Sequence, residues 1–268
     1  MIKHILCATA MFAAATTAHA GDPFTAPVTA ELLSGWQQAD GTKVSAIRLT
    51  LEKGWKTYWR VPGDAGIPPQ FDWSGSRNLQ DVSIRWPAPK VFVQSGMRSV
   101  GYANEVTLPL MIDAKRPNRP VKINLQMDIG VCKDICVPQR LTLKGTVDPQ
   151  STTPTPAIAA ALAERPYTAG EAGAATTTCA LTPTTDGLSI TATLTLPSTG
   201  ASEHVVIEAG RSDVWMSEAS SRRSGNTLTA QAEMVPTTPG ALALNRSEMR
   251  FTVVGSNHTV DLRGCTPG

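Results

Sequence analysis

The feature that most limits the fold of this chain is a recurrence of short, alternating, β-branched segments separated by turn residues, with no long amphipathic helix between them. Strands are predicted near residues 44–51, 82–86, 105–112, 121–130 and 136–147, and again near 188–196, 204–209, 227–234, 249–254 and 259–263. Strands this short and this closely spaced favour antiparallel β-sandwiches over an alternating α/β arrangement. Between the two series lies a Pro/Thr-rich stretch, residues 148–156, followed by the alanine-rich 157–165, which has the composition for about two helical turns. The expected organisation is therefore all-β, two antiparallel β-sandwich domains joined by a short Pro/Thr-rich and helical linker. The first domain would run over residues 21–148, the linker over 149–171 and the second domain over 172–268.

Residues 1–20 read as a secretory signal. Lys3 gives the positive start, residues 5–15 a short apolar stretch, and Ala18-His19-Ala20 a small-x-small cleavage site before Gly21. The apolar stretch is too short for a membrane anchor and is interrupted by Thr9, Thr16 and Thr17. Cys7 would leave with the signal; it lacks the preceding apolar run and small residues of a lipid-attachment site. No other stretch has the length and apolarity of a transmembrane segment, so the expectation is an exported, soluble, periplasmic protein. A formal net charge of +2, with Lys and Arg scattered, leaves no electrostatic footprint for nucleic acid.

Cleavage leaves four cysteines, Cys132, Cys136, Cys179 and Cys265, and an even count in an oxidising compartment reads first as disulfides. Cys132 and Cys136 stand four positions apart. On a straight strand that separation is roughly 13 Å, beyond disulfide reach, so the chain must turn between them. Gly130, Pro138 and the flanking valines Val131 and Val137 argue against a helix, which leaves a three-residue loop, Lys133-Asp134-Ile135, capping a hairpin. So small a loop constrains the unfolded chain little, which shifts the balance from a plain structural bridge toward a reversible one; both readings stay open at this point. Lys133 would favour a thiolate and Asp134 oppose it. Cys179 and Cys265 sit near the two ends of the second domain, where a bridge would close a long loop, and they are read as a structural disulfide.

Residues 54–69 (GWKTYWRVPGDAGIPP), Gly101-Tyr102, Leu108-Pro109 and the run from Cys132 to Pro138 resemble, in order, the periplasmic N-terminal domain of the thiol:disulfide interchange protein DsbD. The likeness is closest to the suppressor-of-copper-sensitivity type, ScsB, and spans about residues 30–147. It implies an immunoglobulin-like sandwich that relays electrons, with Cys132 and Cys136 as the catalytic pair and Cys136 as the attacking sulfur. It implies as partners a membrane-embedded thiol reductase as electron donor and thioredoxin-like periplasmic proteins as acceptors, and it implies no cofactor. The family's membrane and thioredoxin-like domains have no counterpart here, so electrons would be borrowed from a separate protein. The family also shields its cysteines with an aromatic cap loop. The corresponding residues 94–99 hold no aromatic, and Phe92, Met97 and Tyr102 are the candidate substitutes.

Trp55, Tyr58, Trp59, Trp73 and Trp86 are dense in the first domain and read as sandwich packing. Gly63, Gly66, Pro68 and Pro69 build a rigid loop, across which Arg60 and Asp64 are expected to pair. A copper(I)-binding or copper-tolerance role is the main alternative, because soft thiolates select that ion. Its third ligand would have to be His204 or His258 in the second domain, or Met97, Met111 or Met127, which at strand spacing read as core. A purely structural interaction module is the remaining alternative. No hydrolase triad, phosphate loop or zinc spacing stands out.

Overall fold

The computed structural model describes residues 26–94, 96–148, 151–238 and 244–268. The expected signal peptide, residues 1–20, lies outside the described residues. Among the described residues the architecture is all-β apart from one short helix, with four sheets.

The first half of the chain forms β1 (Val28–Gln37), β2 (Lys43–Leu51), β3 (Lys56–Tyr58), β4 (Gln70–Asp72), β5 (Leu79–Ile84), β6 (Lys90–Gln94), β7 (Met97–Ala103), β8 (Glu105–Ala114), β9 (Val121–Cys132) and β10 (Cys136–Val147). One sheet runs β1-β2-β8-β5 and the other β10-β9-β3-β7-β6, with β4 also paired to β9. Both are antiparallel. Strand alternation explains the core between them. Odd-numbered residues of β9, from Val121 to Val131, face Ile47, Leu49 and Leu51 of β2 and Leu108, Leu110 and Ile112 of β8. Even-numbered residues of β9 point to the opposite face of the sheet, where Cys132, at the end of the strand, is nonetheless buried.

Helix α1 (Pro156–Ala163) follows, with Pro156 in its first turn where a missing N–H costs nothing. Its Ile158 and Leu162 pack on Trp36, Val44, Ala46 and Met111, covering the outer face of the first sheet. This is why β2 is buried on both faces although a half-covered antiparallel strand usually alternates.

The second half forms β11 (Tyr167–Thr168), β12 (Thr176–Pro183), β13 (Leu188–Thr195), β14 (His204–Glu208), β15 (Val214–Met216), β16 (Ser220–Ser224), β17 (Thr227–Pro236), β18 (Arg250–Val254), β19 (Thr259–Arg263) and β20 (Thr266–Pro267). Its sheets run β11-β19-β18-β14 and β15-β17-β13-β12-β20, with β16 also on β17, and enclose a second core around Leu194, Ile207, Met234 and Phe251. Cys179 and Cys265 are bonded at the edge of this core, Cα atoms 5.7 Å apart, tying β12 to the segment that leads into β20.

The two halves touch through polar and apolar contacts alike. Val206 of β14 joins the core of the first half. The expected pairing of Arg60 with Asp64 is not found: Arg60 donates instead to both carboxylate oxygens of Glu208, at 3.0 and 2.8 Å. Arg98 pairs with Glu218 nearby. A planar guanidinium matches a carboxylate with two parallel bonds, and Glu208 presents one at the end of an edge strand.

Candidate functional site

The hairpin of β9 and β10 sets Cys132 directly opposite Cys136, with Cα atoms 4.1 Å apart and the sulfurs bonded. Lys133, Asp134 and Ile135 form the loop, closed by a 3.0 Å bond from the Lys133 N–H to the Ile135 carbonyl. Residues facing each other across an antiparallel pair are close enough for such a bridge.

The two sulfurs have different surroundings. Cys132 is 1% exposed, whereas Cys136, at the start of an edge strand, is exposed. What covers Cys132 is Tyr58. Its hydroxyl donates to the Cys132 Sγ at 2.8 Å and lies 3.5 Å from the Cys136 Sγ.

The sequence explains how that ring gets there. In the register of β3 with β9, Lys56 faces Cys132 and Thr57 faces Val131, so the next residue, Tyr58, comes alongside Gly130. A Cβ on Gly130 would stand 3.0 Å from the Tyr58 Cε2 and 2.7 Å from the Ile67 Cβ. Only a glycine lets the ring and the 63–67 loop close over the strand here. On the other side Tyr58 pairs with Gly101 of β7, where a Cβ would meet the Thr57 carbonyl at 2.0 Å. The Thr57 hydroxyl donates to the Gly130 carbonyl at 2.9 Å and locks the register. Burial raises the Tyr58 pKa above its ordinary value, so the phenol stays a neutral donor at physiological pH.

The β6–β7 hairpin leans on the cysteine loop. Gln94 donates to the Lys133 carbonyl at 2.8 Å and accepts from Lys56 Nζ at 3.0 Å, and that ammonium stands 5.5 Å from the centre of the Phe92 ring. Of the three candidate shielding residues, Phe92 therefore belongs to this bridge. Met97 lies at the start of β7, 60% exposed, and Tyr102 turns into the core, its hydroxyl donating to the Pro87 carbonyl at 2.8 Å. Val93 and Ile135 are also exposed, giving the surface about the cysteine loop an apolar character. The Lys133 side chain lies back over Gly54.

Among the described residues, no three or more His, Cys, Asp and Glu side chains gather as a metal site. Met127 is fully buried in the first core, and Met111 packs beneath α1. His204 and His258 both belong to the second half, His204 facing Glu218 and His258 stacked on Tyr167.

The family model of the N-terminal region of the thiol:disulfide interchange protein DsbD matches residues 29–147. This stretch is a DsbD N-terminal domain. The match begins in β1 and ends with β10, so it takes in both sheets of the first half and the cysteine hairpin. A solved structure, the N-terminal periplasmic domain of ScsB from Proteus mirabilis, matches with a TM-score of 0.64 at 19% identity, covering 90% of this chain and 93% of that one. The shared fold thus extends beyond the DsbD N-terminal domain into the second half. A search of curated proteins gave no match. The matched stretch, residues 29–147, is thus similar to a domain of thiol:disulfide interchange proteins. No helix among the described residues is long and apolar enough to cross a membrane.

Proposed function

We propose that this protein is a periplasmic thiol:disulfide oxidoreductase of the protein-disulfide reductase type, exported by a signal peptide at residues 1–20, which relays electrons through Cys132 and Cys136. In this reading residues 21–148 and 172–268 are immunoglobulin-like domains joined by the 149–171 linker, and Cys179–Cys265 is a structural staple. The observation that carries the reading is the asymmetry of the pair: one cysteine is exposed, the other buried with a phenol hydroxyl on its sulfur.

The chemistry follows from it. In the reduced protein the Cys136 thiolate attacks one sulfur of a partner disulfide. The partner's S–S bond breaks, its leaving sulfur takes a proton, and Cys136 is joined to the partner. Deprotonated Cys132 then attacks the Cys136 sulfur, closing the intramolecular disulfide and releasing the partner's second thiol. Two electrons and two protons have moved to the partner, a thioredoxin-like periplasmic protein. In the recharging half-cycle one thiolate of a membrane-embedded reductase's dithiol attacks the Cys136 sulfur, and Cys132 leaves as a buried thiolate that then takes a proton. The reductase's second thiolate attacks its own mixed-disulfide sulfur, forming the reductase disulfide and releasing Cys136. Burial raises the cost of the Cys132 charge, and the Tyr58 hydroxyl offsets it.

Trapping tests the assignment. Incubated with an oxidised thioredoxin-like protein, the Cys132→Ala variant should accumulate a mixed disulfide through Cys136, because the resolving sulfur is gone. Cys136→Ala should accumulate far less, its remaining thiol being buried. Equal trapping by both variants, or none by either, would remove the relay.

A further inference from the structure

Tyr58, Trp59 and Arg60 are consecutive, and they have three different destinations. Tyr58 is on the sulfurs, Trp59 is fully buried in the first core, and Arg60 reaches the second half of the chain. The backbone between them is short and tightly held. The Trp59 N–H donates to the Val100 carbonyl at 3.0 Å, and the Val100 N–H donates to the Pro62 carbonyl at 2.8 Å, so residues 59–62 loop over a single residue of β7.

The Arg60 guanidinium lies 3.7 Å from the centre of the Trp59 ring while its two bonds run to Glu208, with a third contact, 3.4 Å, to the Thr252 hydroxyl. The side chains of Arg60 and Glu208 are only 14% and 21% exposed. A charge pair this sheltered is little screened by solvent, and removing one partner strands the other. The same loop continues back to the redox pair: Ala65 presents its carbonyl 3.4 Å from the Tyr58 hydroxyl, and Ile67 covers Gly130. Anchoring the loop at Arg60 therefore fixes the residue before Trp59 and the loop that packs over it.

We infer that Glu208 and Arg60 are positioning residues for the redox pair: the second half of the chain, through their ion pair, holds the Tyr58 hydroxyl against the Cys132 sulfur. The second half is then part of the redox unit and sets the reactivity of a disulfide it does not itself touch. The inference rests on the reading of Cys132–Cys136 as the exchanging pair.

The test is a double-mutant cycle on the mature chain, following reduction of Cys132–Cys136 by dithiothreitol with alkylation and mass spectrometry. Couplings carried through packed networks change rates by roughly two- to thirtyfold. Glu208→Gln, nearly isosteric, should slow reduction by about threefold, toward the low end of that range. In a Tyr58→Phe background the same substitution should add nothing, because the group it positions is absent. Arg60→Lys, which keeps the charge but loses the two-pronged geometry, should act in the same direction. Unchanged circular dichroism, with Cys179–Cys265 still protected from alkylation, identifies folded variants. A Glu208→Gln protein reduced at the wild-type rate overturns the inference, as does one slowed equally with and without the Tyr58 hydroxyl. If the wild-type Cys132–Cys136 pair resists reduction as firmly as Cys179–Cys265, the relay reading falls and takes this inference with it. A wild-type pair that exchanges readily while Glu208→Gln is silent removes the inference alone.

Discussion

Replacing Tyr58 by Phe deletes one oxygen and leaves a ring of nearly the same shape between Gly101 and Gly130. In the oxidised protein the loss is small, because the hydroxyl there contacts neutral, weakly accepting sulfur. During reduction the Cys132 sulfur leaves with negative charge in a site that is 1% exposed, and the lost bond then matters. A hydrogen bond to a charged acceptor contributes about 1.5–3 kcal/mol. Only part of that charge has developed at the transition state, so on the order of 1 kcal/mol should appear in the barrier, a slowing of roughly fivefold. Pseudo-first-order reduction by dithiothreitol at pH 7, quenched by alkylation, measures it directly, with Cys179–Cys265 as the internal control. A Tyr58→Phe protein that keeps its fold and is reduced as fast as the wild type would refute the reasoning: the hydroxyl would then be a packing detail.

Three further outcomes are expected. Replacing Cys179 and Cys265 together by Ala opens a bridge across 86 positions and should cost about 4–5 kcal/mol in urea unfolding, against about 2 kcal/mol for the small Cys132–Cys136 loop. Gly130→Ala forces a methyl against Tyr58 and Ile67; the overpacking should cost about 1–3 kcal/mol in thermal or urea unfolding and should also slow reduction of Cys132–Cys136. His204, buried between the halves, has its pKa held below the ordinary 6.5 by burial, with Arg98 acting in the same sense and Glu218 against it. The unfolded chain therefore binds a proton that the folded one refuses, so stability is fully present above that ordinary value and declines as pH falls below it. His204→Asn should flatten that decline in unfolding curves taken between pH 7 and 5.

Much of the strand framework was legible because β8, β9, β13, β17 and β19 alternate between turn residues. β1 was not, since its two adjacent leucines and Gly35 break the alternation where the strand bulges. β12 was hidden by a run of threonines, and the two- and three-residue strands are too short to carry any period. The cysteine hairpin was readable because a straight strand cannot bring Cys132 and Cys136 within bonding reach, while Gly130, Pro138, Val131 and Val137 argue against the helix that could. Tyr58 was not singled out: one aromatic among several reads as packing until the β3–β9 register puts it beside Gly130, although the glycine was a clue that something crosses the strand there. Arg60 was matched with its local neighbour Asp64 because sequence distance is all that a sequence offers, whereas its partner lies 148 positions on.

The most direct test of the account is a redox titration of the mature chain in glutathione buffers of graded potential, with alkylation at each cysteine followed by mass spectrometry. The account expects Cys132 and Cys136 to titrate together and reversibly near the potential of an oxidising compartment while Cys179 and Cys265 stay bonded throughout. A first pair that remains oxidised as stubbornly as the second would contradict it, and would make the hairpin cystine a structural bridge.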